Sequence, residues 1–437
     1  MTSPSINRRR LFALGGLAAA GVALDQTALA APSVPPARSR SRHQNGPVTL
    51  RFAHMNSWNA EWAAELDTMV ARWNEENPDV QVEVIKWTWE TYFATMTAAI
   101  GAGEAPDIMN VGWGEVVQFG RLHFLDVATM LTPEAKAGFH ETSFKSCTYG
   151  DAIYGLPVFE QMNQVLYYRS DVAEEAGVSF EGDSLSWDDL VSAAQAMTTD
   201  ERSGLGVNGM GRGIVEPFAP FQYQNDSQMV VEDGATLQST FSTEESTAAA
   251  RFFIDLWTEH GIVNPNNLGK GYTELVTDIG LGSVAMFHGI TQNYFAIGQL
   301  YPEIADLIKI APPQIGRRAA TIGGAFSMSI FKYTPAPEEA YRFIEWATSN
   351  ENLAAYWLPL GNVLSTRPEV PSPGLPDDVA ASFLQYQEVQ EVFPFVTQWE
   401  EIRERVLTPR LAQAAGGQRS FDDIWPEIEE ETQAALN

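Results

Sequence analysis

The chain has 437 residues, 45% hydrophobic and 11% aromatic, enough to bury a substantial core in two or three domains. Its formal net charge of -29 argues against nucleic acid or anionic membrane as partners, burdens phosphorylated ligands and leaves neutral ones unhindered. One cysteine, Cys147, rules out an intrachain disulfide and a cysteine-rich metal site, and six histidines without ligand spacing predict no metal.

The N-terminus reads as a targeting segment. Arg8, Arg9 and Arg10 precede Leu11-Phe12, a run of small and apolar residues follows, and Ala28-Leu29-Ala30 fits a cleavage site. Residues 1–30 are therefore expected to be a signal peptide. The paired arginines suggest the twin-arginine type, with an ordinary secretory signal as the alternative. Residues 31–47, rich in proline and arginine, are expected to form an unstructured leader. No cysteine adjoins the cleavage site, so the expected product is periplasmic, soluble and without a lipid anchor. No internal run reaches the roughly 18 apolar residues of a membrane span.

The body opens with a strand at 48–53. A helix to about 77 follows, with Trp62, Leu66, Met69, Val70 and Trp73 on one face and Pro78 beyond its end. Val80, Val82 and Val84 alternate with polar residues as a strand. A helix at about 91–100 and a strand at 107–111 complete a βαβαβ order, which predicts an α/β lobe with a largely parallel sheet. Later helices are expected to open at Ser186, Thr243, Pro337 and Ser420.

A series of short motifs in fixed order then narrows the reading. Tyr154-Gly155-Leu156-Pro157 comes first, then Val165 to Val172, then Glu175-Ala176-Gly177 and Trp187-Asp188-Asp189-Leu190. Ala105-Pro106-Asp107-Ile108, the stretch 120–126, Ala285-Met286-Phe287-His288-Gly289, Gly323-Gly324 and the stretch 361–367 flank them. Together the series resembles the family 1 extracellular solute-binding proteins, the maltose-binding-protein-like group, over nearly all of residues 48–437. Tyr168-Arg169-Ser170-Asp171 departs from that family's usual Tyr-Asn-Lys-Asp, and Ser365 stands where proline is common.

The resemblance implies an α/β, two-lobed periplasmic-binding-protein-like fold with hinge crossings and a ligand cleft between the lobes. One lobe would hold 48–158 and 319–360, the other 159–318 and 361–437. It further implies a monomer that captures a carbohydrate, without cofactor or catalysis, and delivers it to the membrane permease subunits of an ABC importer. Sugars offer apolar faces to aromatic rings and hydroxyls to carboxylates and amides. Candidate ligand residues on loops after strands are Asn56, Ser57 and Trp58, then Trp113 and Glu115 within a Gly-Trp-Gly-Glu run. Glu160, Gln161 and Asn163 are candidates at the first crossing, Gln292 with Asn293 after the Ala-Met-x-x-Gly turn, and Gly324 at the second crossing. Trp399 matches by position an aromatic that stacks on sugar in the family.

Gly204, Gly206 and Gly209 satisfy G-x-G-x-x-G, but the run is read as following a helix and preceding none, against a nucleotide site. Two other readings stay open. The same fold could bind a glycerol phosphodiester or a polyamine, with Arg212, Arg317 and Arg318 as the cleft-capable arginines. A secreted carbohydrate-active enzyme would instead need two carboxylates about 5–10 Å apart across a cleft.

Overall fold

The computed structural model describes residues 46–55, 60–88, 91–234 and 236–437. The signal segment, nearly all of the leader, and Asn56, Ser57 and Trp58 lie outside the described residues.

Strands β1 (Val48–His54), β2 (Val80–Lys86) and β3 (Ile108–Val111) alternate with helices α1 (Ala60–Glu76), α2 (Tyr92–Gly101) and α3 (Trp113–His123). β1 pairs in parallel with β2 and β3, as the βαβαβ order requires. The apolar stripe of α1 is buried at every position read from the sequence. Trp73 is tied to the sheet besides, its Nε1–H donating to the Val80 carbonyl at 2.9 Å. Beyond β3 the sheet turns antiparallel. The strand Thr321–Ile330, buried at all ten positions, pairs with β3 on one side and with Leu156–Asn163 on the other. Leu364–Ser365 closes that edge, and Gln390–Glu391 joins the start of Thr321–Ile330.

A second sheet orders Ile308–Ile310, Val165–Arg169, Val284–Gly289 and Ser203–Gly206. The chain passes from the first sheet to the second across one residue, Gln164, which adopts the left-handed conformation (φ 65°). This is the two-lobed α/β architecture, but the first and last crossings lie elsewhere than the motifs suggested. Residues 158–160 sit inside the strand Leu156–Asn163, where Phe159 and Glu160 are paired on both edges. Likewise Ser365 pairs with Phe159, and Arg367 donates to the carbonyls of Thr348 and Gly138, so the chain stays with the first sheet beyond residue 361.

The expected helix starts are present and capped. The hydroxyls of Ser186, Thr243 and Ser420 accept from the backbone N–H groups of Asp189, Ser246 and Asp423, and Pro337 opens its helix at the first position. The glycine-rich decoy differs in detail: Ser203–Gly206 is itself a strand, and a helix, Val215–Gln224, does follow it.

Candidate functional site

A cavity of about 400 Å³ opens where α3 of the first lobe faces the second. That volume suits a small ligand. Its apolar wall is a row of three rings. Trp113 stacks on Phe393 with centroids 5.3 Å apart at 26°, and Phe393 meets Trp399 at 5.3 Å and 33°. Phe326 and Tyr272 line the same space.

The facing wall is a chain of amides. Gln161 and Asn163 lie two apart on one strand, so the pleat turns both toward the cavity. Gln292 Nε2 donates to Gln161 Oε1, and Gln161 Nε2 to Asn163 Oδ1, each at 2.9 Å. Gln292 Oε1 is buried without a partner, as is the indole N–H of Trp399. Both residues line the cavity, but these two atoms are not open to it and would meet a ligand hydroxyl only after a side-chain shift.

Charge on the lining is mostly negative. Glu115, Glu216 and Glu400 face one arginine, Arg403, whose Nη2 already donates to Glu400 Oε2 at 2.8 Å. Burial, helped by the nearby Glu400 charge, pushes the Glu115 carboxyl above its ordinary range, against a hydrogen bond with Tyr92. Glu216 accepts from the Tyr272 hydroxyl. The Tyr272 phenol is held well above its usual value, first by burial and then by Glu216. Two helix N-termini also reach the cavity, those of α3 and of Thr291–Leu300, and the positive ends of their dipoles offset part of this charge.

Several sequence candidates sit differently from their reading. Trp113 and Glu115 belong to the first turn of α3 rather than to a loop. A Cβ at Gly112 would lie 2.3 Å from Glu115 Oε2, so a larger residue there would displace the carboxylate that folds back over the helix start. Gly324 does not line the cavity. It lies under Trp113, where a Cβ would come within 2.7 Å of the Trp113 Cβ. Glu160 points to the other face of its strand and is fully buried. Its carboxylate accepts from Ser143 Oγ, from Gln387 Nε2 at 2.6 Å and from Gln390 Nε2 at 3.4 Å, so its capacity is spent on the protein. Asn293 caps its own helix by accepting from the Ile290 N–H at 2.8 Å. Arg317 pairs with Glu245, and Arg318 with Glu391 and Asp226, none of them on the cavity wall.

Phe393, Phe326, Tyr272, Glu216, Glu400 and Arg403 escaped the sequence reading. Arg403 alone carried a signal, standing four residues after Trp399 on one helical face. Among the described residues no group of His, Cys, Asp and Glu could hold a metal ion, and no helix is long and apolar enough to cross a membrane.

The profile of the bacterial extracellular solute-binding proteins matches residues 56–354. The chain belongs to that family. Solute-binding proteins of this fold align along almost their whole length. One from Listeria monocytogenes, solved in complex with cycloalternan, has a TM-score of 0.72 at 18% identity and covers 89% of this chain and 99% of its own. The cyclic alpha-maltosyl-1,6-maltose binding protein of Arthrobacter globiformis gives 0.73 at 18%, covering 90% and 99%. Among curated relatives, an uncharacterised lipoprotein of Streptomyces antibioticus is 29% identical over 37% of this chain and 36% of its own. The sn-glycerol-3-phosphate-binding periplasmic protein of Shigella dysenteriae is 28% identical over 41% and 43%. The match thus spans less than half the length of these curated relatives.

Proposed function

We propose that this solute-binding protein takes a neutral carbohydrate, a sugar, oligosaccharide or polyol, into the cavity and presents it to the permease of an ABC importer. The observation that carries this is the facing of two walls: the row Trp113–Phe393–Trp399 opposite the amide chain Gln292–Gln161–Asn163. Rings cover the apolar faces of a pyranose, each stack contributing about 0.5–1.5 kcal/mol beyond area burial. Amides and carboxylates take the hydroxyls at the edge, with about 1.5–3 kcal/mol for each bond to a charged group. A few of each reach micromolar affinity, about -8 kcal/mol. Trp113, Glu115, Gln161, Asn163, Gln292 and Trp399 are the sequence candidates kept for this role, and Phe393, Glu216 and Arg403 join them.

A glycerol phosphate or its diester is the second reading, favoured by the Shigella relative's ligand. It would place an anion among three carboxylates with one arginine already shared with Glu400, which costs it binding energy. The arrangement supports binding rather than catalysis: the carboxylates are engaged by Tyr92, Tyr272 and Arg403. For localisation we hold to export, on the arginine pair and the Ala28-Leu29-Ala30 site, and to a monomer in the periplasm. The sequence's one cysteine, Cys147, is buried against Ser327 Oγ at 2.8 Å.

A thermal-shift screen tests the ligand class. Sugars, polyols, sn-glycerol-3-phosphate and polyamines are offered to the exported protein. A ligand of the folded state at a hundred times its Kd stabilises by about 2.7 kcal/mol and raises the midpoint. Carbohydrates should give the shifts. A shift with glycerol phosphate or polyamine and none with any sugar would overturn the proposal.

A further inference from the structure

Gln164 occupies an unusual place. It is the sole residue between a strand of the first sheet and a strand of the second, and its φ of 65° is one that side chains with a Cβ seldom adopt. It is not an exposed turn residue, being only 1% exposed. Thr321, at the start of the returning strand, donates its hydroxyl to the carbonyls of Asn163 at 2.9 Å and Gln164 at 3.3 Å, fastening the two crossings together.

The Gln164 side chain is spent on the cavity wall. Its Nε2 donates to the Tyr272 hydroxyl oxygen at 2.7 Å, and that hydroxyl donates its one proton to Glu216 Oε2. Tyr272 and Glu216 both line the cavity. A phenol has one proton to give, and its oxygen can accept two hydrogen bonds. Glu216 can only accept, so the proton faces it, while the hydroxyl oxygen takes hydrogen bonds from Gln164 Nε2 and from Asn208, and the two amides together hold the hydroxyl against the carboxylate. The backbone that turns at the crossing and one of the amides that set Glu216 therefore belong to the same residue.

We propose that Gln164 is a positioning residue for the ligand: through Tyr272 it fixes Glu216 at the cavity wall, in a place set by the crossing between the lobes. This rests on the carbohydrate reading only for what the Glu216 carboxylate meets. The positioning itself is read without any ligand. Because the link runs through one hydroxyl, removing that hydroxyl should uncouple the ends.

The experiment uses the full exported chain and follows the side-chain carboxyl carbon of Glu216 by NMR, assigned with Glu216→Gln. Gln164→Gly keeps the backbone conformation, which glycine adopts freely, and removes the amide. Gln164→Asn keeps an amide but is one carbon too short to reach Tyr272, and serves should the glycine variant fold poorly. Each is made with Tyr272 and with Tyr272→Phe, and melting is recorded for all. The expected result is a displaced Glu216 resonance in both Gln164 variants with Tyr272 present, and the same resonance with or without Gln164 once Tyr272 is Phe. A purely structural role for Gln164 would lower the melting point and leave that pattern absent. An unmoved Glu216 resonance in well-folded Gln164→Gly, or an equal displacement in the Tyr272→Phe background, overturns the proposal. Neither result depends on which solute binds, so failure here and failure of the carbohydrate screen remain distinct.

Discussion

Glu160 and Gln161 are chain neighbours that serve different ends, because a strand turns successive side chains to opposite faces. Gln161 joins the amide chain at the cavity, and Glu160 holds Ser143, Gln387 and Gln390 in the interior. Replacing Glu160 by Ala leaves those donors buried without an acceptor. We expect a loss of about 2–4 kcal/mol of stability with the ligand affinity of the remaining folded protein unchanged, read from urea unfolding and calorimetry. A weakened affinity at unchanged stability would return Glu160 to the site. The sequence made Trp113, Glu115, Gln161, Asn163 and Gln292 legible as polar or aromatic groups near strand ends, and Trp399 by its place in the resemblance, and all six reach the cavity. It could not separate Glu160 from Gln161, because the run around them read as a crossing loop rather than a strand. Phe393, ahead of Pro394, looks like any apolar residue, and only its neighbours Trp113 and Trp399 give it a role.

At the scale of elements, the first turn of α3 shows how packing sets a site. Trp113 can lie flat on the returning strand because Gly324 beneath it has no side chain. In Gly324→Ala the new methyl would sit 2.7 Å from the Trp113 Cβ and 2.9 Å from the Ser146 Cβ. Overpacking of this kind costs about 1–3 kcal/mol, and relief by lifting α3 would break the stack of Trp113 on Phe393. We expect both a lower melting point and weaker sugar binding. An alanine variant with normal affinity would mean that α3 gives way elsewhere. Helix positions and caps were plain in the sequence, since apolar spacing and Ser or Thr caps are local signals. The first and last crossings were not. Their motifs mark the right region, but whether a strand stops at 158 or runs to 163 depends on its pairing with Thr321–Ile330, far along the chain.

For the whole molecule, two buried histidines tie stability to acidity. Burial lowers His54 and His288 from 6.5 to about 4. Between pH 6.5 and about 4 the unfolded chain takes up protons that the folded chain refuses, so stability falls as pH drops through that window, by up to about 3 kcal/mol for each histidine. Glu115 and Glu160 act in the opposite sense, their folded values lying above 4.5. Their contribution is present below 4.5 and is lost as pH rises through those folded values. A difference measurement isolates one group. In His288→Phe the loss of stability between pH 7 and pH 4.5 should be smaller than in the natural chain, by urea unfolding at each pH. An equal loss in both would remove His288 as a cause.

The central claim is that a sugar sits between the Trp113–Phe393–Trp399 row and the amide chain. Its most direct test is calorimetric titration of the natural chain and of Trp399→Phe with the sugar that gives the largest thermal shift, beside sn-glycerol-3-phosphate. Phe keeps a ring on Phe393 and removes an N–H that has no protein partner; because Trp399 is buried, the smaller ring also lowers stability, so a melting curve accompanies each titration. We predict micromolar sugar binding to the natural chain, about five- to tenfold weaker in the variant from the loss of about 1 kcal/mol of ring contact, and weaker binding of glycerol phosphate. Sugar affinity identical in the two proteins, or glycerol phosphate bound more tightly than any sugar, would contradict the account.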